Sequence, residues 1–197
     1  SETRIKAAIQ NAGEKLLVRY SRGPILDYLG DLVGTPRLLS VGAVCTVQFD
    51  IVGGQPQDRL IPANTRLTTQ NGAVAFLTRQ EAVLKAGALT VQVRAVCDTP
   101  GVIGNGWAIG QINTLVGEGF TGLSASNITV PVDGAEDEVD PHYIERIILA
   151  PEAYTTAGSE GAYRYHALSV HQSIIDVAVR GPEDGLPDGE VAIHPLT

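Results

Sequence analysis

From Ala43 the hydrophobic pattern of the chain has a period of two. Val44, Thr46, Gln48 and Asp50 alternate with Cys45, Val47, Phe49 and Ile51 until Gly53-Gly54 interrupts the run. Successive side chains of a strand point to opposite faces, so this alternation predicts a strand with one face buried. The same pattern returns from Leu89 to Cys97, with Leu89, Val91, Val93 and Ala95 on one face and Gln92, Arg94 and Val96 on the other. Between these runs, Arg59 to Thr69 reads as a strand starting behind Pro62, and Val74 to Thr78 as the return strand of a hairpin. Asn71-Gly72 is the turn signal between them, with positive φ expected at both positions. Thr99-Pro100-Gly101 turns the chain again, and Ile109 to Val116 and Ser126 to Val132 read as further strands. Short strands with turns every ~8–12 residues predict an antiparallel β domain, barrel-like or a sandwich, over residues 43–132.

The flanks have a different period. Ile5, Ile9, Leu16 and Tyr20 recur at helical spacings, which predicts a helix over residues 3–20 that Ser21-Arg22-Gly23-Pro24 stops. Ile25 to Val33 reads as a second short helix, closed by Gly34 and Pro36. After residue 132 the run Asp133-Gly134-Ala135-Glu136-Asp137-Glu138 reads as an acidic, solvated linker. Asp140-Pro141 predicts a helix start with Asp at the N-cap and Pro in the first turn. A second helix follows Ser159-Glu160-Gly161-Ala162 and runs through Leu168. Strands over Ile174 to Val179 and Glu190 to Ile193 then close the chain. The fold class expected is therefore α+β: an N-terminal helical segment (1–42), a central antiparallel β domain (43–132) and a C-terminal α+β module (133–197). The stretches 34–42 and 133–141 are expected to let these modules turn as units.

Composition excludes several functions. The net charge of −8 is unevenly spread. Residues 1–97 carry 11 Lys/Arg against 7 Asp/Glu, a net +4, and residues 98–197 carry 3 against 15, a net −12. Nucleic-acid binding requires clustered cations, so no nucleic-acid partner is expected. The polarity fits either docking between unlike ends of neighbouring subunits or a solvated acidic surface. No run approaches the ~18 apolar residues that cross a bilayer, and no membrane partner is expected. Cys45 and Cys97 each sit in an apolar strand-like run, which predicts buried free thiols rather than a disulfide framework. The chain contains no Met and begins in mid-pattern, as a processed or excised fragment would.

A search for catalytic frames finds none that is complete. Gly122-Leu123-Ser124-Ala125-Ser126 begins like a nucleophile elbow but lacks the closing glycine and the following helix. Gly104-Asn105-Gly106-Trp107-Ala108-Ile109-Gly110 is one residue too long for a dinucleotide fingerprint and lies among β segments. Asp133, Asp137, Glu138 and Asp140 do not match an EF-hand loop. His142, His166, His171 and His194 form no metal-binding spacing and read as packed or surface side chains. No enzyme activity, cofactor or metal is expected. Tyr154, Tyr163, Arg164 and Tyr165 cluster around a segment from Ala157 to His166. Aromatic residues and Arg are enriched at interface centres, so these four are the candidate contact residues, against ordinary core and rim packing.

An ordered set of phrases resembles the baseplate J-like family over nearly the whole chain. Leu26-Asp27-Tyr28-Leu29-Gly30 with Gly34-Thr35-Pro36-Arg37-Leu38 is similar to that family's N-terminal helical segment. Ile61-Pro62-Ala63-Asn64-Thr65-Arg66 with Phe76-Leu77-Thr78 resembles its central strand pair, with Asn64 where Gly is usual. Pro100-Gly101-Val102-Ile103-Gly104-Asn105-Gly106 is similar to the next block. Asn127-Ile128-Thr129, Gly134 to Glu138, Glu145-Arg146-Ile147, Ala157 to Tyr163 and Ile174 to Val179 then follow in family order. The resemblance implies a wedge component of a contractile phage tail or tailocin baseplate, located in the virion and assembled in the host cytoplasm. It implies other baseplate wedge and hub proteins as partners, and a homo- or hetero-oligomeric ring around the tail tube whose rearrangement triggers sheath contraction. No catalytic residue transfers. The rival expectation is a β-rich binding module of a tail fibre or adhesin that recognises a surface glycan, with Trp107 as the one tryptophan to offer.

Overall fold

The structure, a computed structural model, describes Lys6, residues 17–154 and residues 158–197. The described residues form three α-helices: α1 (Gly23–Leu32), α2 (Asp140–Leu149) and α3 (Glu160–Leu168). Ten strands accompany them: β1 (Val44–Ile51), β2 (Arg59–Ile61), β3 (Arg66–Thr69), β4 (Ala75–Thr78), β5 (Ala82–Leu84), β6 (Thr90–Cys97), β7 (Ile112–Val116), β8 (Leu123–Asn127), β9 (Asp176–Arg180) and β10 (Ala192–Leu196). The class is α+β with a central antiparallel β domain. The chain divides into two compact units, one of residues Ser40–Glu136 and the other combining Ser1–Leu39 with Asp137–Thr197.

In the β unit six strands run in the order β7-β3-β4-β6-β1-β8, every neighbour antiparallel. The period of two read from Val44 sends Cys45, Val47 and Phe49 inward, opposite Ala95, Val93 and Val91 of β6. Leu67 and Phe76 face each other across β3 and β4, and Ile112 and Ala125 complete the buried set. The end strands β7 and β8 lie side by side, so the sheet curls into a nearly closed barrel. Aliphatic side chains and two phenylalanines fill it, as the scarcity of aromatic residues requires.

Asn127 joins the two ends of the barrel sheet. It sits at an inward position of β8, where the pattern calls for an apolar residue, and is completely buried. Its Oδ1 accepts from the Ile112 N–H of β7 at 2.9 Å. Its Nδ2 donates to the carbonyls of Ala108 and Thr129, both at 3.0 Å. A buried amide so fully satisfied replaces ladder hydrogen bonds at the point where the strands do not pair directly.

Several strand expectations are corrected. The run Arg59 to Thr69 is two strands, because residues 62–65 turn with Asn64 at φ 61°. The hairpin after Thr69 uses positive φ at Gly72 only. Gly72 N–H donates to the Thr69 carbonyl at 2.9 Å, so Gln70 and Asn71 occupy the centre of an ordinary turn and only the residue after it needs left-handed backbone. Asn71 instead accepts hydrogen bonds from Thr69 Oγ1 and the Ala73 N–H. The strand placed at Ser126 to Val132 is β8, Leu123–Asn127, and Val132 makes only an isolated bridge to Val44. The partner of β2, the strand β5, has no counterpart in the sequence expectations, since three residues are too few to show a period.

In the helical unit α1 carries Pro24 in its first turn, and Leu26 packs with Tyr143 and Ile147 of α2. Gly30 is required by close approach: a Cβ there would collide with the Tyr143 hydroxyl, which donates to the Thr35 carbonyl at 2.8 Å. Ser159 caps α3 by accepting from the Ala162 N–H. Strands β9 and β10 pair antiparallel. The helix expected over residues 3–20 lies largely outside the described residues; Val18–Tyr20 is a 3-10 turn.

Candidate functional site

The densest polar constellation lies in the helical unit. Glu138, two residues ahead of α2, is 2% exposed, His142 9% and Arg146 3%. Glu138 Oε2 accepts from Arg146 Nη1 at 2.6 Å and from the Leu38 N–H at 2.9 Å, and Glu138 Oε1 meets His142 Nδ1. His142 Nε2 faces the Ile174 carbonyl at 2.8 Å, and Arg146 reaches Ser169 Oγ and the Pro36 carbonyl. Burial alone would raise the Glu138 carboxyl. The His142 and Leu38 hydrogen bonds and the Arg146 charge outweigh it and hold the carboxyl below its ordinary value. The expectation of a solvated acidic linker is therefore corrected at Glu138, whose carboxylate is an interior group tying residue 38, α2 and residue 174 together.

Beside it, Arg37 donates from Nε to Asp27 and from Nη2 to Asp140, both at 2.7 Å, and from Nη1 to the Glu138 carbonyl at 2.6 Å. Its guanidinium stands 4.5 Å from the centre of the Tyr143 ring. Asp140 is not the N-cap. Val139 holds that position, and the Asp140 carboxylate turns to Arg37 and to the Gly23 N–H instead. The interaction with Arg37, at 2.7 Å, displaces a capping bond worth ~1 kcal/mol.

The four candidate contact residues are placed differently from one another. Tyr154 is 77% exposed. Tyr163, Arg164 and Tyr165 follow one another on α3 and are all half-buried. Arg164 is spent internally: it donates to Glu145 at 2.7 Å, to Asp176 at 2.9 Å and to the Val177 carbonyl at 2.7 Å. Tyr165 shares a hydrogen bond with Thr35 Oγ1 at 3.0 Å. Tyr163 lines a shallow pocket of about 370 Å³ with Glu160, Val179 and Glu183.

In the β unit Cys45 and Cys97 are buried and free. Burial, with Cys97 adding to it, pushes the Cys45 thiol up to about 12, and burial likewise raises Cys97. Trp107 packs partly against the barrel core and donates its indole N–H to the Ile103 carbonyl at 3.1 Å. It lines a pocket of about 460 Å³ with Gln70, Asn71, Gln111 and Asn113. Ser124 lies on β8 opposite Asp50 and is a strand residue. Among the described residues, no group of His, Cys, Asp and Glu has a metal-holding arrangement, and no helix is long and apolar enough to cross a membrane.

Residues 46–134, which are nearly the whole barrel, match the Baseplate J-like protein barrel domain. The barrel belongs to the baseplate J-like family. This is a family of structural phage components and not a known enzyme class, and its setting is the phage tail baseplate, among other baseplate proteins. No curated protein matches the chain. Within this barrel Asn127 links the end strands of the sheet, and the turn at Asn64 separates β2 from β3. The Glu138–His142–Arg146 cluster escaped sequence reasoning although it left a signal. The three residues are four apart, a spacing that lines up one face of a helix.

Proposed function

We propose that the protein is a wedge component of a contractile phage tail baseplate, assembling with other baseplate subunits in a ring around the tail tube and relaying the trigger for sheath contraction. The observation that carries this reading is the family match over residues 46–134, coincident with a nearly closed barrel. On this reading the β domain (43–132) is the rigid member, and segments 1–42 and 133–197 are its mounts. Of the candidate contact residues Tyr154, Tyr163, Arg164 and Tyr165, the contact is placed on the tyrosines, with Tyr154 as the most open aromatic face and Arg164 as internal support. Affinity capture from a lysogen or tailocin producer tests it. Tagged protein is expected to recover other tail proteins, and a capture that recovers none overturns the assignment.

The glycan-binding reading draws on one observation, the Trp107 pocket, where an aromatic ring lies beside four amide side chains. A glycan array separates the two readings: specific binding abolished by Trp107→Ala supports the second, and no signal removes it.

A further inference from the structure

The outer face of the barrel holds two arginines in an arrangement that calls for an anion. Arg79 follows β4 directly, and its N–H donates to the Arg94 carbonyl at 2.9 Å, extending by one residue the β4–β6 register of Thr78 with Ala95. Arg79 and Arg94 are thus direct cross-strand neighbours. Both point outward, because Thr78 and Ala95 beside them are buried. Like charges directly opposite on paired strands are unfavourable. Among the described residues neither guanidinium has an ion pair or a side-chain hydrogen bond. They line one pocket of about 220 Å³ with Val44 and Gln80. By contrast Arg66, on the same sheet, is paired with Asp98 at 2.7 Å.

A complementary surface exists on the other unit of the chain. The turn between β9 and β10 exposes Glu183, Asp184, Asp188 and Glu190, and residues 181–197 contain no Lys or Arg. Asp184 is committed to the Gly181 N–H at 3.1 Å. The carboxylates of Glu183, Asp188 and Glu190 have no hydrogen-bonding or ionic partner among the described residues.

We propose that the Arg79–Arg94 pair receives the acidic β9–β10 turn of a second copy of this chain. Guanidinium forks match carboxylate geometry, and one carboxylate between the two arginines removes their mutual repulsion as it binds. The two surfaces are different patches, so the contact is heterologous. Copies therefore add head to tail, closing as a ring when the rotation between them closes. The proposal deepens the ring reading above and rests on it for its setting.

Sedimentation analysis of the full chain tests it, at salt low enough for a screening length of about 30 Å and again near 1 M, where it is about 3 Å. Self-association is expected at low salt and its loss at high salt. The double reversal Arg79→Glu/Arg94→Glu and the triple reversal Glu183→Lys/Asp188→Lys/Glu190→Lys are each expected to weaken it by about ten-fold or more. An equimolar mixture of the two is expected to restore it, since each then meets an opposite charge. If a reversed variant loses its circular dichroism spectrum, Arg79→Gln/Arg94→Gln replaces it. A chain that stays monomeric at low salt, reversals without effect, or a mixture that does not associate each overturn the proposal. Capture of tail proteins by a chain that does not self-associate would sink this contact and leave the baseplate reading standing. Self-association without capture would do the reverse.

Discussion

Glu138 Oε2 and Arg146 Nη1 lie 2.6 Å apart in the interior of the helical unit, where neither side chain is more than 3% exposed. The pair is satisfied on every side: Leu38 N–H and His142 complete the carboxylate, and Pro36 and Ser169 complete the guanidinium. Because residue 38 precedes the barrel and residue 138 follows it, these bonds clamp together the two points where the chain passes between its units.

Removing one member of a buried ion pair leaves the other charged and unpaired, which is worse than never having had the pair. Glu138→Gln is expected to destabilise the helical unit by about 3–5 kcal/mol. Urea unfolding followed by circular dichroism measures it. A loss under about 1 kcal/mol would show that water reaches Arg146 and that the cluster is not closed.

The same carboxylate sets an acid limit. Its folded value lies below the unfolded carboxylate value of about 4.3, so the unfolded chain binds more protons across that interval. The stabilisation is therefore present above about pH 4 and is lost as pH falls through the lower folded value. Asp140, whose carboxyl burial would raise but which the hydrogen bonds from Arg37 and the Gly23 N–H and the Arg37 charge together hold below its ordinary value, adds to the loss in the same direction. Stability measured from pH 7 downward is expected to stay level and then fall below about pH 4, with a shallower fall in Glu138→Gln. An equally steep fall in that variant would assign the acid limit to other carboxylates.

The barrel was legible because its signal is repeated. Alternation over Val44 to Ile51 and over Leu89 to Cys97 fixes both the faces and the antiparallel pairing of β1 with β6. What sequence could not supply was decided by long-range partners. Asp140 reads as a cap until Arg37, 103 residues away, draws its carboxylate aside. Glu138 reads as solvated because the acidic residues around it mask its helical spacing to His142 and Arg146. Asn127 reads as a polar break in a strand, although it is the residue that links the sheet's ends. Arg164 looks like an interface arginine by type, and its three internal acceptors appear only once α2, α3 and β9 are assembled.

Thiol chemistry reports on the barrel independently. Cys45 and Cys97 are buried and their thiols are pushed up, so almost no thiolate exists at neutral pH. A disulfide reagent is expected to label neither in the native protein and both in denaturant. Prompt native labelling of Cys45 would show that the barrel opens.

Closure of the barrel can be tested at one side chain. Asn127→Leu keeps roughly the volume but strands the Ile112 N–H and two carbonyls, and each buried group left unmet costs about 1–3 kcal/mol. A loss of at least about 3 kcal/mol is expected, together with faster hydrogen exchange at Ile112. If exchange at Ile112 is unchanged, β7 and β8 are held together by something other than Asn127.

Tyr154 and Arg164 separate contact from scaffold within the candidate surface. Tyr154 projects into solvent and its replacement by Ala is expected to leave stability within about 0.5 kcal/mol. Its effect should appear instead in capture of tail proteins, as an aromatic anchor lost from an interface. Arg164→Ala removes bonds to Glu145, Asp176 and Val177 at once, so it is expected to lower the melting temperature of the helical unit and to affect capture only through that loss. Measuring both variants by thermal unfolding and by capture yields two opposite profiles if the assignment holds. Should Tyr154→Ala destabilise the protein while capture survives, the tyrosine is scaffold and the contact surface lies elsewhere.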